Sequence, residues 1–438
     1  MSTSKEAEDH LQDKVMKRRA ITAAGMGWGL DGFTWTMYGF ALTAALPVLN
    51  MSTAEAGWVT AISIVASAIG GVICGNLADR FGRVKVLTWV ILGYSIFTAL
   101  TATAQDGTQF LIWRILEGIT FGGEWAVGAA LVAEYARPEN RGKALAFVQS
   151  CYAIGWAVST TAYLVLFSIA PAEVAWRYLF LLGVLPAIAA FVIRRTTHDV
   201  VDVRRTKPAR SAGVFRSLFA PGQLKITLFA TLLGVGVQGI YYSVFVFLPL
   251  FLKTERGLTV VGTAGYTWVA IVGSFIGYLA SGVIHDAIGR RPTFLFFFLG
   301  SAVSIALFVL TPIAQPEIGL AIIFVLGFFA SGQAGGTGAY LSELFPTHSR
   351  ATGQAFAYNV GRGLAAFGPL MVGVLAASIG LGTAVLWVGA IGAGLGCVAL
   401  AMLPETRGKN ILNDVPSADA HESTECQEPA PAFIENKR

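Results

Sequence analysis

Charged residues are scarce in this sequence. Asp, Glu, Lys and Arg make up 13% of its 438 residues, whereas 55% are hydrophobic. An ordinary soluble domain has about 25% charged residues, so this chain lacks the charge that a water-facing surface needs. The composition therefore excludes a set of soluble domains and an intrinsically disordered chain.

Cysteine and histidine are also few. The four cysteines have no paired spacing, which argues against disulfides and against a metal site. The five histidines lie in polar tails and loops, too scattered for a metal site or a catalytic triad. A nucleotide-binding Gly-x-x-x-x-Gly-Lys loop is missing. The sequence thus favours neither an enzyme nor an ATP-driven pump, and we expect no metal or organic cofactor.

Long apolar runs dominate what remains. Twelve runs are long enough to cross a bilayer as helices, starting near residues 22, 57, 86, 109, 144, 176, 224, 264, 292, 317, 354 and 381. The runs are continuous rather than alternating, which excludes a transmembrane barrel, and lipid requires every backbone amide to be paired internally. We predict an all-α membrane protein with twelve transmembrane helices in two six-helix halves.

The basic residues predict the orientation of these helices. If both termini are cytoplasmic, 26 of the 31 Lys and Arg residues lie on the inner side, as the positive-inside rule requires. These residues face anionic lipid, so the net charge of +5 does not point to nucleic acid. We expect a monomer in the inner membrane. The predicted segments are a cytoplasmic tail (1–20), a six-helix bundle (21–195), a cytoplasmic linker (196–222), a second bundle (223–404) and a disordered cytoplasmic tail (405–438).

The two halves repeat each other. A Gly-x-x-x-Asp-x-x-Gly-Arg motif follows the second span and returns after the eighth, which places Asp79 and Asp286 207 residues apart. Glu134 and Glu343 follow the fourth and tenth spans, each with an arginine seven residues later, and lie 209 residues apart. The two motif pairs are separated by nearly the same number of residues, which predicts a duplicated six-helix unit. In transporters built this way, the substrate site lies between the repeats.

These motifs resemble those of the major facilitator superfamily. The resemblance covers residues 20–408 and includes Arg114-x-x-x-Gly118 in the fourth span and Pro404-Glu405-Thr406-Arg407-Gly408 after the twelfth. Asp31-Gly32-Phe33 and Gly361-Arg362-Gly363 resemble the aromatic-acid:proton symporters. Gly122-Gly123-Glu124-Trp125 is similar to a motif of metabolite:proton symporters, sugar porters and organic-ion transporters.

Ionisable residues inside membrane helices are costly and are therefore functional candidates. The first such group contains Asp31, Arg114, Glu117 and Glu124, which we assign to proton coupling. Related sugar:proton symporters pair a first-helix acid with a fourth-helix arginine, so the resemblance implies an Asp31–Arg114 bridge. A permanent ion pair between helices is the structural alternative, and Glu117 or Glu124 remains an alternative proton carrier.

Arg362 in the eleventh span is the residue most informative about a substrate. Its guanidinium stays charged and matches a carboxylate with two parallel donors. It therefore predicts an anionic ligand, with a salt bridge to another helix as the alternative. Aromatic and amide residues at helical spacing complete the predicted pocket. They are Tyr358, Asn359, Tyr38, Gln149, Tyr152, Trp156, Gln238, Tyr241 and Tyr242.

Charged residues of the repeated loop motifs are predicted to form a cytoplasmic gate, as the family resemblance implies. A purely structural role in folding and topology is the alternative. The gate residues are Asp79, Arg80, Arg83, Glu134, Arg141, Asp286, Arg290, Glu343 and Arg350.

The sequence thus predicts a secondary active transporter that imports a small organic acid, aromatic or unsaturated, together with protons. A proton-coupled sugar or polyol porter is the alternative, favoured by Gln238 and the Pro404–Gly408 motif. A ligand sensor that does not transport is a more remote one.

Overall fold

The computed structural model describes residues 2–135, 141–188, 215–312, 315–346 and 349–407. Side chains are described from residue 21 onward, except at 23–24, 76, 79, 83–84, 124–135, 141–146 and 351. The predicted tail at 408–438 and most of the predicted linker lie outside these ranges.

In the described part of the first half, the chain forms six long or medium helices. They are α1 (Ser2–Val48), α2 (Thr53–Phe81), α3 (Arg83–Thr101), α4 (Gly107–Tyr135), α5 (Arg141–Ile169) and α6 (Ala172–Leu181), and a short 3₁₀ turn at Leu182–Val184 continues α6. α1 therefore runs from the predicted tail through the first span.

The helices of the second half are more often interrupted. They are α7 (Pro221–Phe245), α8 (Leu248–Thr254), α9 (Val260–Ile288), α10 (Arg290–Leu310), α11 (Pro316–Gly335), α12 (Thr337–Leu344), α13 (Arg350–Ala365), α14 (Phe367–Ile379) and α15 (Leu381–Met402). Three spans consist of two helices each: the seventh of α7 and α8, the tenth of α11 and α12, and the eleventh of α13 and α14. In the described ranges, every regular element is helical.

Eight helical segments of the described chain are long and apolar enough to cross a membrane, and Lys85–Thr101 is a shorter apolar helix. α4 has membrane length as well, with 29 residues, and it carries Arg114, Glu117 and Glu124, the charges singled out above as functional candidates.

The predicted repeat is visible in the helix ends. α2 and α9 both have 29 residues, and both their first and last residues are 207 positions apart. Ser52 and Thr259 cap them with side-chain oxygens that accept a hydrogen bond from the third helical amide. Gly82 and Gly289 end them with φ of 94° and 103°, a conformation that favours glycine. The same sequence signals thus produce the same local structure in both halves.

The two halves pack through equivalent helices. α2 of the first half packs on α13 and α14 of the second, and α5 packs on α9. The repeat relates α2 to α9 and α5 to α13–α14, so the two contacts exchange under a two-fold operation. The larger cluster of buried apolar side chains includes residues of both halves, among them Phe33, Trp156, Ile240 and Phe245.

Candidate functional site

A cavity lies between the two halves. Its walls come from α1, α4 and α5 on one side and from α7, α9, α11 and α13 on the other. The lining residues are Trp28, Trp35, Phe121, Gln149, Tyr152, Val237, Gln238, Tyr241, Tyr242, Tyr278, Ala334, Tyr358 and Arg362. Seven of the residues predicted to bind substrate are in this set.

Arg362 supplies the positive charge of the cavity wall. Its side chain is 3% exposed, and its Nε donates a hydrogen bond of 3.1 Å to the hydroxyl of Tyr242. The guanidinium carbon lies 5.5 Å from the ring centres of both Phe121 and Tyr358. Nη1 has no hydrogen-bond partner among the described residues. A buried donor without a partner is costly, so this nitrogen is available to a ligand in the cavity.

Asp31 is fully buried on α1, between two tryptophans of the cavity wall, Trp28 and Trp35. These residues are three positions before and four after Asp31 and therefore share its helix face. The carboxylate acts electrostatically on Arg362 of the opposite half and on Tyr358. The acid predicted to couple protons and the arginine predicted to bind the substrate thus interact electrostatically.

Arg114 has a different partner from the one that the family resemblance implied. It forms a buried ion pair with Glu117, one turn along its own helix, rather than a bridge to Asp31. The guanidinium lies 4.4 Å from the ring centre of Tyr38 and 5.7 Å from that of Trp35. Residues three apart on one helix lie close together, so this pair forms without any contact between helices.

Aromatic rings form a continuous wall around the cavity. Trp35 lies 5.3 Å from Tyr242 and 5.4 Å from Phe121 between ring centres. Trp28 lies 5.5 Å from Tyr152, which is 5.8 Å from Tyr241. Tilted and edge-to-face arrangements of this kind leave flat ring faces for a planar ligand.

Two amides contribute polar groups to the same wall. Gln238 Nε2 donates a hydrogen bond of 3.0 Å to the backbone oxygen of Tyr358. Gln149 interacts with the hydroxyl of Tyr278, which also interacts with Tyr241 and Ser331. One amide therefore links α7 to the arginine-bearing helix, and the other links α5 to α9.

Three residues predicted to bind substrate lie outside the cavity lining. Tyr38 stacks on Phe110 and shares a hydrogen bond of 3.0 Å with Thr60. Asn359 donates to the backbone oxygen of Ala355 at 2.9 Å. Trp156 is 2% exposed and packs edge-on against Phe245.

Sequence reasoning did not assign six lining residues to the substrate site. They are Trp28, Trp35, Phe121, Val237, Tyr278 and Ala334. The two tryptophans carried a usable signal, because both share a helix face with Asp31. Tyr278 carried none, since no charged residue of its span marks its face.

The gate residues of the second half form a cluster where α9 ends and α10 begins. Arg290 pairs with both oxygens of Glu343, at 2.8 and 3.1 Å, and with Asp286 at 2.9 Å. Thr406 donates to Glu343 at 2.6 Å. Glu405 accepts hydrogen bonds from the backbone amides of Arg290 and Arg291 at the start of α10, where a carboxylate is favourable.

Two other gate residues have described side chains outside the contacts above. Arg80 is exposed, and Arg350 is partly buried. The remaining predicted site residues have side chains outside the described set; they are Asp79, Arg83, Glu124, Glu134 and Arg141.

Comparisons with known proteins agree with this architecture. The family model described as Major Facilitator Superfamily matches residues 26–314 and 266–425. A probable 4-methylmuconolactone transporter of Cupriavidus pinatubonensis is 35% identical over 92% of this chain and 94% of its own. A cis,cis-muconate transport protein of Acinetobacter baylyi is 29% identical over 82% of this chain and 87% of its own.

The fold has a solved counterpart. The crystal structure of a D-xylose-proton symporter superposes with a TM-score of 0.74 at 19% identity, covering 90% of this chain and 100% of that one. The predicted twelve-helix, two-half fold is confirmed. By its motifs, its repeat and these matches, the chain belongs to the Major Facilitator Superfamily and is a multi-pass membrane transporter.

Proposed function

We propose that this protein imports a small planar carboxylate, aromatic or unsaturated, by proton symport with alternating access. The observation that carries the proposal is Arg362, a buried cation with a free donor in a cavity between the halves. The two relatives above, a probable 4-methylmuconolactone transporter and a cis,cis-muconate transport protein, support the same substrate class.

Two donors are available to a carboxylate. Arg362 Nη1 and Trp35 Nε1 are both buried, both belong to cavity-lining residues, and neither has a hydrogen-bond partner among the described residues. A carboxylate accepts two such hydrogen bonds through its two oxygens, and the charged donor makes the stronger one. The aromatic wall then holds a planar ligand body beside them.

The electrostatic interaction between Asp31 and Arg362 supports proton coupling. Asp31 provides negative charge for Arg362 when the cavity is empty. A bound carboxylate brings a second negative charge to the same arginine in a poorly hydrated site. The repulsion is removed when one carboxyl takes up a proton, so substrate and proton bind together. The Arg114–Glu117 pair is the alternative carrier of the proton.

The sugar or polyol alternative depends on different residues. Gln149, Gln238 and the surrounding tyrosine hydroxyls can hydrogen-bond a neutral polyol. Such a ligand leaves the charge of Arg362 without a function. In the proposed orientation both termini and the repeated loop motifs face the cytoplasm, and the protein works as a monomer in the inner membrane.

Counterflow in proteoliposomes tests the proposal, using a panel of aromatic and unsaturated acids, their amides and neutral sugars. An unpaired carboxylate in such a cavity costs about 2–5 kcal/mol, or roughly 30- to 4000-fold in affinity. Arg362→Ala should therefore abolish counterflow of the acid, and Arg362→Lys should restore it only in part, because a compact ammonium does not reproduce the planar geometry of the guanidinium donors.

The amide of the same acid separates a direct contact from a structural salt bridge. In the wild type, the amide should bind much more weakly than the acid and should lose little further in Arg362→Ala. If acid and amide bind the wild type alike, Arg362 is not the anion site, and the sugar porter becomes the better hypothesis. Absence of any counterflow would favour the alternative that the protein is a ligand sensor that does not transport.

A further inference from the structure

The side-chain amide of Gln238 has a hydrogen-bonded nitrogen and an oxygen without a hydrogen-bond partner among the described residues. Its side chain is 6% exposed and lines the cavity. Nε2 donates to the backbone oxygen of Tyr358, while Oε1 is buried without a hydrogen-bond partner among the described residues. The orientation of the amide is fixed, because the oxygen of Tyr358 can only accept and must therefore face the nitrogen.

The cavity thus has two free polar atoms of opposite kind. Arg362 Nη1 is a charged donor, and Gln238 Oε1 is a neutral acceptor. Water satisfies both in an empty cavity, but a ligand that displaces the water must replace its hydrogen bonds or lose affinity. The complementary ligand has an acceptor for the arginine and a hydrogen-bond donor for the glutamine.

The two atoms belong to neighbouring parts of the cavity wall. Gln238 is bonded to the backbone of Tyr358, which lies four residues, one helical turn, before Arg362. One small ligand in the cavity is therefore placed to meet both residues. The rings of Tyr358 and Phe121 both lie 5.5 Å from the guanidinium carbon, so a planar ligand bound there meets two aromatic side chains.

The surroundings of Gln238 also favour an uncharged group at that end of the ligand. Arg362 is the one cationic residue in the cavity lining given for the described chain, and Asp31 already acts on it. A second carboxylate near Gln238 would meet an acceptor oxygen and no cation, which is unfavourable. The far group is therefore a neutral donor, a hydroxyl or an N–H.

We propose that Gln238 determines specificity by favouring substrates that have a neutral hydrogen-bond donor away from their carboxylate. This inference rests on the proposed function, because it takes Arg362 as the site of the carboxylate. It adds a second recognition point and predicts that, among the planar acids proposed above, those with a hydroxyl or N–H group bind more tightly than matched acids without one.

Matched pairs of benzoates test the proposal. Inhibition of radiolabelled benzoate counterflow is measured with 3- and 4-hydroxybenzoate against 3- and 4-methylbenzoate. Hydroxyl and methyl are similar in size, and the methyl gains more from an apolar cavity. At one of the two ring positions, the hydroxy acid should inhibit at a concentration at least about 10-fold lower than its methyl partner, a difference of about 1.4 kcal/mol.

Gln238→Leu should bring this ratio close to one, because it removes the acceptor. Gln149→Leu is the matched control: it removes another cavity amide and should leave the ratio unchanged even if uptake falls. Equal inhibition by hydroxy and methyl acids at both positions, or an unchanged ratio in Gln238→Leu, would overturn the role of Gln238. If Gln238→Leu does not fold, the wild-type comparison alone decides.

Failure of the proposed function has a different signature. If no benzoate inhibits and neutral sugars do, both the carboxylate assignment and this inference fall. If benzoates inhibit through Arg362 without preference for a donor, the function stands and only the inference is wrong.

Discussion

Two buried arginines show how differently one residue type is used. Arg114 is neutralised by Glu117 one turn away, so its charge is balanced within a single helix. Arg362 has no such neighbour on its helix, and the carboxylate that acts on it, Asp31, belongs to the other half of the molecule. A charge balanced across a moving interface responds to ligand and to conformation, whereas one balanced within a helix does not.

Asp31→Asn tests this difference. The amide keeps the shape of the side chain but cannot bind or release a proton. We expect uphill, proton-driven accumulation to be lost while exchange of substrate across the membrane partly remains. Proteoliposome uptake with and without a pH gradient measures the first, and counterflow measures the second.

Glu117→Gln is the comparison variant for that experiment. If it alone abolishes pH-driven accumulation and Asp31→Asn retains the wild-type pH dependence, the proton carrier is Glu117 rather than Asp31. Loss of folding is a separate outcome, since removing one partner of a buried ion pair costs about 3–5 kcal/mol.

At the scale of elements, three spans of the second half are broken. The breaks follow Phe245, Gly335 and Ala365. Each lies close in sequence to a lining residue, Tyr242, Ala334 or Arg362. Irregular backbone within a membrane is tolerated where it lies in protein or lines a cavity rather than facing lipid, so the breaks accompany the site.

Glu405 links the end of the twelfth span to the start of α10 through hydrogen bonds from the backbone amides of Arg290 and Arg291. Partial burial acts to raise its pKa, but hydrogen bonds from the amides of Arg290, Arg291, Arg407 and Thr406 outweigh this effect and hold the pKa below its usual range. A depressed folded-state pKa contributes stability above the unfolded value, and this contribution is lost as the pH falls through the folded value.

We therefore expect Glu405→Gln to lower the melting temperature of the detergent-solubilised protein at pH 7. The difference from the wild type should shrink as the pH is lowered below the ordinary pKa of glutamate, about 4.3. Thermal unfolding followed by fluorescence over a pH series measures it. Glu317→Gln serves as a control, because the side chain of Glu317 forms no hydrogen bond within the described part of the chain. An equal effect of both variants at every pH would show that Glu405 does not act through its charge.

At the scale of the whole molecule, the halves are in contact on the face where α1 ends and α2 begins. Lys253 Nζ donates to the backbone oxygen of Thr43 at 3.3 Å. A methyl group on Gly39 of α1 would lie 2.8 Å from the backbone oxygen of Val246, between α7 and α8. In the proposed orientation this face is the outer one, so the contact closes the outer entrance.

Gly39→Leu should therefore prevent closure of that entrance. Leucine cannot fit against the Val246 backbone unless α1 and the seventh span separate, so the transporter should be held open to the outside. We expect net uptake to fall by roughly 10-fold or more, which corresponds to a destabilisation of the closed state by about 1.4 kcal/mol. Substrate added outside should still bind. Uptake and equilibrium binding to oriented vesicles measure the two effects.

The matched control is Gly265→Leu. Gly265 lies on α9 with nothing within 4 Å of an added methyl group. This variant should transport like the wild type. Unimpaired uptake by Gly39→Leu would show that the contact is not part of the transport cycle.

The sequence by itself determined the class of the molecule, its spans and its repeat. These properties depend on local patterns: apolar runs set helix length, and Ser52, Thr259, Gly82 and Gly289 set helix ends at the same offset in both halves. Charges within apolar runs also marked the positions of the cavity arginine and of the buried acid beside it. Such signals need no knowledge of how distant segments pack.

Only the tertiary structure decided which residues share a site. Helix periodicity gives the face of a residue but not the helix that the face meets. Tyr38 and Trp156, expected in the pocket, therefore lie beside it, whereas Tyr278 and Phe121 line it. Likewise, the family resemblance implied Asp31 as the partner of Arg114, but three-dimensional distance pairs Arg114 with Glu117 and brings Asp31 into the field of Arg362. Charge interactions depend on separation in space, and for residues on different helices the packing of the two halves alone sets that separation.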